Sequence, residues 1–280
     1  MRLWLPVVLA AALLVAGGAS ALAVPSIGGP TGIVMLPTAE IASIHDWQTA
    51  VNYRTFQSDF MYEDVSLWSL NVLRGVAGDA ELWIAFQRAT GEYDSDIWRF
   101  GGKYLLSEQL FPRGGFLGGT DLALGGSYGR WTDGFVNAST MYDAAGATDL
   151  DTLQFYLVAT KHLIGGDTRE WETPVGTRVI GSLGLLYLSI DPDLAGSDTL
   201  VRPFLGVEII GEKNLKLAFE YRFKDSDIED DALFSTLLSY PLGSSTTIEA
   251  GLTNASPIGL AVGDQNMFWR LTYAFPVSYY

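Results

Sequence analysis

The chain has 280 residues, 31 glycines, no cysteine, 12% aromatic residues and a formal net charge of −15. The missing cysteines exclude disulfide stapling and thiol catalysis. The acidic balance excludes nucleic acid as a partner.

In chain order, the first segment is an export signal. Arg2 gives a positive start, residues 3–15 are almost wholly apolar, and Ala21, Leu22 and Ala23 form an A-x-A cleavage pattern. The expected signal peptide is 1–23, with a lead-in at 24–46 and the body of the protein at 47–280. Beyond the signal, no run approaches the roughly 18 apolar residues of a spanning helix. The lead-in is rich in Gly and Pro, which break regular structure, and it is expected at the periplasmic mouth or inside the lumen.

From Trp47 onwards the pattern has period two. Trp47, Thr49, Val51 and Tyr53 alternate with Gln48, Ala50, Asn52 and Arg54. Trp68, Leu70 and Val72 do so with Ser69 and Asn71, and Leu82, Ile84 and Phe86 with Glu81, Trp83, Ala85 and Gln87. Trp98, Phe100 and Tyr104 oppose Arg99, Gly101 and Lys103. The same alternation recurs around 122–128, 153–160, 178–187, 201–209, 214–223, 234–240, 247–252 and 266–275. About twelve strands of roughly ten residues result, the length that crosses a bilayer at a tilt. The fold class is all-β, a closed antiparallel transmembrane β-barrel following a cleaved signal peptide. Its apolar face meets lipid, and its polar face, mixed with small residues, lines a lumen. Trp47, Trp68, Trp83, Trp98, Trp171 and Trp269 are expected in interfacial girdles.

Counted back from the last strand, connectors alternate long and short, as external loops and periplasmic turns do. Residues 131–151 and 253–265 read as long external loops, and 211–214 and 241–246 as tight turns. Links 107–119 and 164–176 are longer than periplasmic turns usually are. Carboxylates concentrate in the expected external connectors, among them Asp59, Glu63, Asp64, Glu92, Asp94, Asp96, Asp133, Asp143, Asp149, Asp151, Asp191, Asp193, Asp198, Asp231 and Asp264. Asp225, Asp227 and Glu229 alternate as in part of a calcium loop, but the glycine and spacing of an EF-hand are absent. They read chiefly as a solvated acidic loop, with weak ion binding as the other reading.

The expected lumen-lining set is Arg54, Arg99, Lys103, Arg178, Arg202, Lys216, Glu220, Arg222 and Arg270, with Glu81, Glu208 and Glu249. One reading is an anion-favouring pore with a cationic ladder. The other is an interior filled by ion pairs and long side chains. His45 and His162 are the only histidines. Both lie on the periplasmic side of the expected topology, whereas outer-membrane hydrolases carry a histidine near the cell-surface rim. No catalytic residues are assigned.

Gly29, the pair Gly32-Ile33 and the run Pro37-Thr38-Ala39 resemble the opening of YjbH-like outer-membrane proteins. The resemblance covers this short stretch and implies a β-barrel associated with exopolysaccharide production or export. Together these readings give a non-enzymatic, porin-like or polysaccharide-export-associated barrel of the Gram-negative outer membrane, with no cofactor. The expected partners are outer-membrane lipid and lipopolysaccharide, the barrel-assembly machinery, and polysaccharide or a small anionic solute. The alternatives are a structural or adhesive barrel acting through its acidic loops, and a lipid-modifying enzyme.

Overall fold

The computed structural model describes residues 25–27, 29–44, 46–56, 65–90, 95–106, 118–132, 149–164, 177–192, 198–211, 214–224, 231–243, 245–255 and 261–275. Twelve strands occupy them: β1 (Trp47–Phe56), β2 (Val65–Ala77), β3 (Ala80–Thr90), β4 (Ser95–Leu105), β5 (Thr120–Thr132), β6 (Asp149–Ile164), β7 (Arg178–Pro192), β8 (Asp198–Ile210), β9 (Lys216–Arg222), β10 (Leu233–Pro241), β11 (Thr246–Ala255) and β12 (Ala261–Phe275). Each pairs antiparallel with its sequence neighbours, and β1 pairs with β12, Trp47 opposite Phe275, to close the barrel. Closure leaves no unpaired sheet edge. The mouth holding Trp47 and Phe275 is the terminal mouth; the other is the loop mouth.

The period-two alternation places side chains as the sequence indicates. Leu183, Met267 and Phe100 point outwards and are 61%, 63% and 57% exposed, in a continuous apolar wall with Trp98, Leu82, Leu238 and Trp269. Aromatic pairs on that wall, such as Phe86 with Trp98 and Tyr53 with Trp68, have ring centroids 4.5 Å apart. An exposed apolar surface of this continuity marks an interaction with lipid or another apolar phase.

Several strands are longer than the roughly ten residues expected: β6 has 16, and β7 and β12 have 15 each. Asp96, Asp149, Asp151, Asp191, Asp198 and Asp264 therefore belong to strand ends rather than to connectors. The connector expected over 253–265 shrinks for the same reason, because β11 ends at Ala255 and β12 starts at Ala261. Asp231 is an exposed connector residue. Asp59, Glu63, Asp64, Glu92, Asp94, Asp133, Asp143, Asp193 and the trio Asp225, Asp227 and Glu229 lie outside the described residues, as do Trp171 and His45.

The interior differs more from expectation. Leu67, Leu73, Ile97, Val158, Leu186, Leu188, Ile190, Leu200, Phe204, Leu237 and Phe268 all face inwards and are at most 4% exposed. Trp83 and Trp131 are buried there too, so neither stands in a girdle, and Trp131 is a strand residue rather than part of a loop. Where these residues cluster the wall is apolar on both faces, which in water-filled surroundings would be unstable. The N-terminal lead-in resolves this. Residues 25–27 and 29–42 lie inside the barrel, and Ile27, Ile33, Val34, Met35, Leu36, Ala39 and Ala42 are buried against the wall.

Candidate functional site

The plug is built from its own backbone first. Gly32 bridges Pro37, Thr38 N–H donates to Thr31 O at 3.2 Å, and residues 33–36 form the tip of this small hairpin. Ile27 N–H donates to Val34 O at 2.7 Å, folding the preceding arm onto the tip. Gly29 has φ 121°, and its Cα faces the Trp83 ring so closely that an added Cβ would lie 2.1 Å from it. At the terminal mouth the chain leaves the lumen beside β2, where Ile44 bridges Gly75 and an added Cβ on Gly75 would meet Ser43 O at 2.1 Å.

The plug occupies a groove divided between apolar and charged walls. Ile27, Ile33, Val34 and Met35 pack with Ala218, Leu233, Leu237, Ala255 and Phe268. Leu36 and Ala39 join the larger cluster of Trp131, Tyr156, Leu186, Leu188 and Phe204. The remaining wall meets the plug with hydrogen bonds, which every buried backbone group requires.

Three clusters of inward charge hold it. Glu220, from β9, accepts from the N–H groups of Val34 at 2.6 Å, Met35 at 3.0 Å and Leu36 at 2.9 Å. Glu81, from β3, accepts from Thr31 N–H at 2.9 Å and Ala42 N–H at 3.0 Å. Lys103, from β4, pairs with Glu81 at 3.0 Å, donates to Thr31 O and Thr38 O at 3.1 Å each, and meets the Thr31 hydroxyl. Arg270, from β12, pairs with Glu249 and donates to Ile33 O at 3.0 Å. Neutral side chains complete the contact: Thr160 accepts from Ala39 N–H at 2.8 Å, and Asn71 donates to Ser26 O at 2.8 Å. A buried ion pair alone is weak support for stability, because desolvation offsets the attraction. Here the pairs also satisfy plug backbone groups that would otherwise be orphaned.

Seven of the nine expected lumen residues are therefore inside. Arg54 donates to Ala255 O at 2.8 Å, while Arg99 and Arg222 border the space above the plug tip. Lys216 pairs with Glu208 at 2.9 Å near the terminal mouth. The other two are rim residues. Arg178 donates to Asn214 Oδ1 at 3.2 Å, and Arg202 donates to Lys224 O at 3.0 Å, both on exposed ground. Strand parity points them inwards, but both are only half-buried: Arg178 opens β7, and Arg202, the fifth residue of β8, turns to the carbonyl of Lys224 just past the end of β9. His162 lies near the terminal-mouth end of β6.

Among the described residues the lumen is occupied by the plug, and not mainly by long side chains meeting one another. Between the plug tip and the loop mouth, Met35, Leu36, Pro37, Arg99, Gln154, Leu186, Arg222 and Leu233 border a cavity of about 30 Å³. That is water-sized and too small for a sugar or other solute. Gly29, Gly32, Pro37, Thr38 and Ala39 all belong to the plug: the first faces Trp83, the next two close the hairpin, and the last two bond to the wall.

No family model matches the chain, and no curated protein matches it. Solved structures that it resembles include the KdgM porin in complex with disordered oligogalacturonate, at 12% identity and TM-score 0.48, over 82% of this chain and 99% of that one. The β domain of the Bordetella autotransporter BrkA matches at 12% identity and TM-score 0.43, over 82% and 98% of the two chains. Outer membrane phospholipase A from Escherichia coli matches at 9% identity and TM-score 0.43, over 85% and 99%.

Proposed function

We propose that this chain is a non-enzymatic, porin-like barrel of the outer membrane whose lumen is closed at rest by its own N-terminal segment. The outward wall supports the membrane placement: among the described residues, large apolar side chains are exposed on every strand around the closed sheet. By the convention of such barrels the terminal mouth faces the periplasm and the loop mouth faces outside.

The observation that carries the reading is the plug's mixed attachment. The charged half of its contact is replaceable by water, because Glu81, Lys103, Glu220, Glu249 and Arg270 would be re-solvated in a flooded lumen. A permanently sealed barrel would be better served by an apolar interior, since swapping buried ion pairs for packed hydrocarbon is often neutral or stabilising. With the plug withdrawn, Arg54, Arg99 and Arg222 would form a cationic zone towards the loop mouth, suited to acidic solutes. Polysaccharide export is the finer form of this proposal; it rests on the YjbH-like stretch, which is the plug itself.

Conductance in planar bilayers tests it. The intact chain is expected to be silent or to open briefly, and a variant lacking 25–43 is expected to conduct steadily with a preference for anions. A folded, inserted variant that remains silent would overturn the pore reading and leave a structural surface barrel.

A further inference from the structure

The plug tip carries a small anion receptor. The N–H groups of Val34, Met35 and Leu36 are consecutive in sequence and converge on one carboxylate, that of Glu220. Successive backbone N–H groups aimed into one concavity form a nest, a general binding element for carboxylates and phosphates. Here the receptor belongs to the plug and its occupant to the wall. A latch of this kind is open to competition, because any other carboxylate that reaches the nest replaces Glu220 without leaving the N–H groups unpaired.

The surroundings hold positive charge beside the nest. Arg99 and Arg222 are 6% and 1% exposed, and both border the cavity that touches Met35 and Leu36. Arg222 lies two residues beyond Glu220 on the same face of β9, towards the loop mouth. On the barrel wall the two guanidiniums therefore stand between the nest and the loop mouth. Pro30, Pro37, Gln154, Leu186, Leu188 and Leu233 make up the rest of the described lining.

We propose that the amide nest of residues 34–36 is the receptor for a carboxylate of an acidic oligosaccharide, and that Glu220 is its internal stand-in when the barrel is closed. Exchange of one carboxylate for the other unlatches the plug tip, so the solute opens its own path. This rests on the pore reading above, and the oligosaccharide class rests on its polysaccharide-export form.

The test is conductance of the full mature chain with a galacturonate trimer, a neutral glucose trimer of equal length, or inorganic phosphate. The uronate trimer is expected to raise open probability about tenfold, the fold-change of a modest differential affinity, and the other two to leave it unchanged. Glu220→Gln keeps the side-chain volume, removes the charge, and is expected to open without solute and to ignore the uronate. Glu249→Gln, which loosens a different latch, is expected to open more often yet still respond. Equal responses to acidic and neutral trimers, or a Glu220→Gln barrel that still responds to uronate, would overturn the proposal. A phosphate response equal to that of uronate would overturn the sugar-acid assignment. Amide exchange at residues 34–36 provides a second readout that does not depend on conduction. Protection lost in Glu220→Ala is expected to return on adding formate, and no return would contradict a nest that accepts outside carboxylates. If the variant lacking 25–43 is silent as well, the pore reading itself has failed.

Discussion

Gly29 and Glu40 are the residues where the plug's fit is most exposed to single changes. At Gly29 an added methyl combines a left-handed φ of 121° with contacts of 2.1, 2.3 and 2.6 Å to the Trp83 ring. Neither partner can give, since the ring is itself buried in the wall. Gly29→Ala is expected to displace the plug while leaving strand pairing intact, seen as rapid proteolysis within 25–44 of an otherwise resistant barrel. Glu40, in the lead-in rather than a strand, is pushed from 4.5 up to about 7, first by burial and then by Glu208, with Lys216 and Lys103 pulling the other way. A carboxyl whose docked pKa is raised binds more protons docked than free, so docking weakens as pH rises from about 4.5 to about 7 and is flat above. Proteolysis of the plug is expected to quicken across that window, and Glu40→Gln to abolish the dependence. The sequence showed which way Arg54, Lys103 and Glu220 point, since parity alone decides that. It could not show their partners, because Glu220 and Val34 are 186 residues apart and no local pattern joins them.

At the scale of elements, β6 to β8 hold the signal that sequence reading passed over. Leu183, Leu185 and Tyr187 face out while Leu186, Leu188 and Ile190 face in, so this stretch is apolar on both sides. A strand of that composition needs a partner on each face, lipid outside and protein inside. The Gly- and Pro-rich lead-in offered no periodicity by which to nominate that partner. The inner face should therefore be energetically as sensitive as a soluble core. Phe204→Ala, at a site 1% exposed within the plug-facing cluster, is expected to cost about 3–5 kcal/mol. Leu183→Ala on the outer wall should cost clearly less, since little cavity forms where lipid can follow. Urea unfolding in phospholipid vesicles compares the two, and equal losses would contradict a packed interior.

The whole molecule is a closed cylinder with a tethered stopper, and the proposed function turns on whether the stopper leaves. Strand number, order and facing were legible because a barrel's period-two code is repeated in every strand. The state of the lumen was not, because the same inward charges serve a ladder in an open pore and a set of latches in a closed one. The natural absence of cysteine allows a direct test. Ala39→Cys with Thr160→Cys places a pair where the backbone N–H of one residue meets the side chain of the other at 2.8 Å. With the crosslink confirmed by mass, the oxidised barrel carrying Glu220→Gln is expected to be silent in planar bilayers, and reduction is expected to restore its conductance. Conductance that is the same before and after reduction would contradict a lumen gated by its own N-terminal segment.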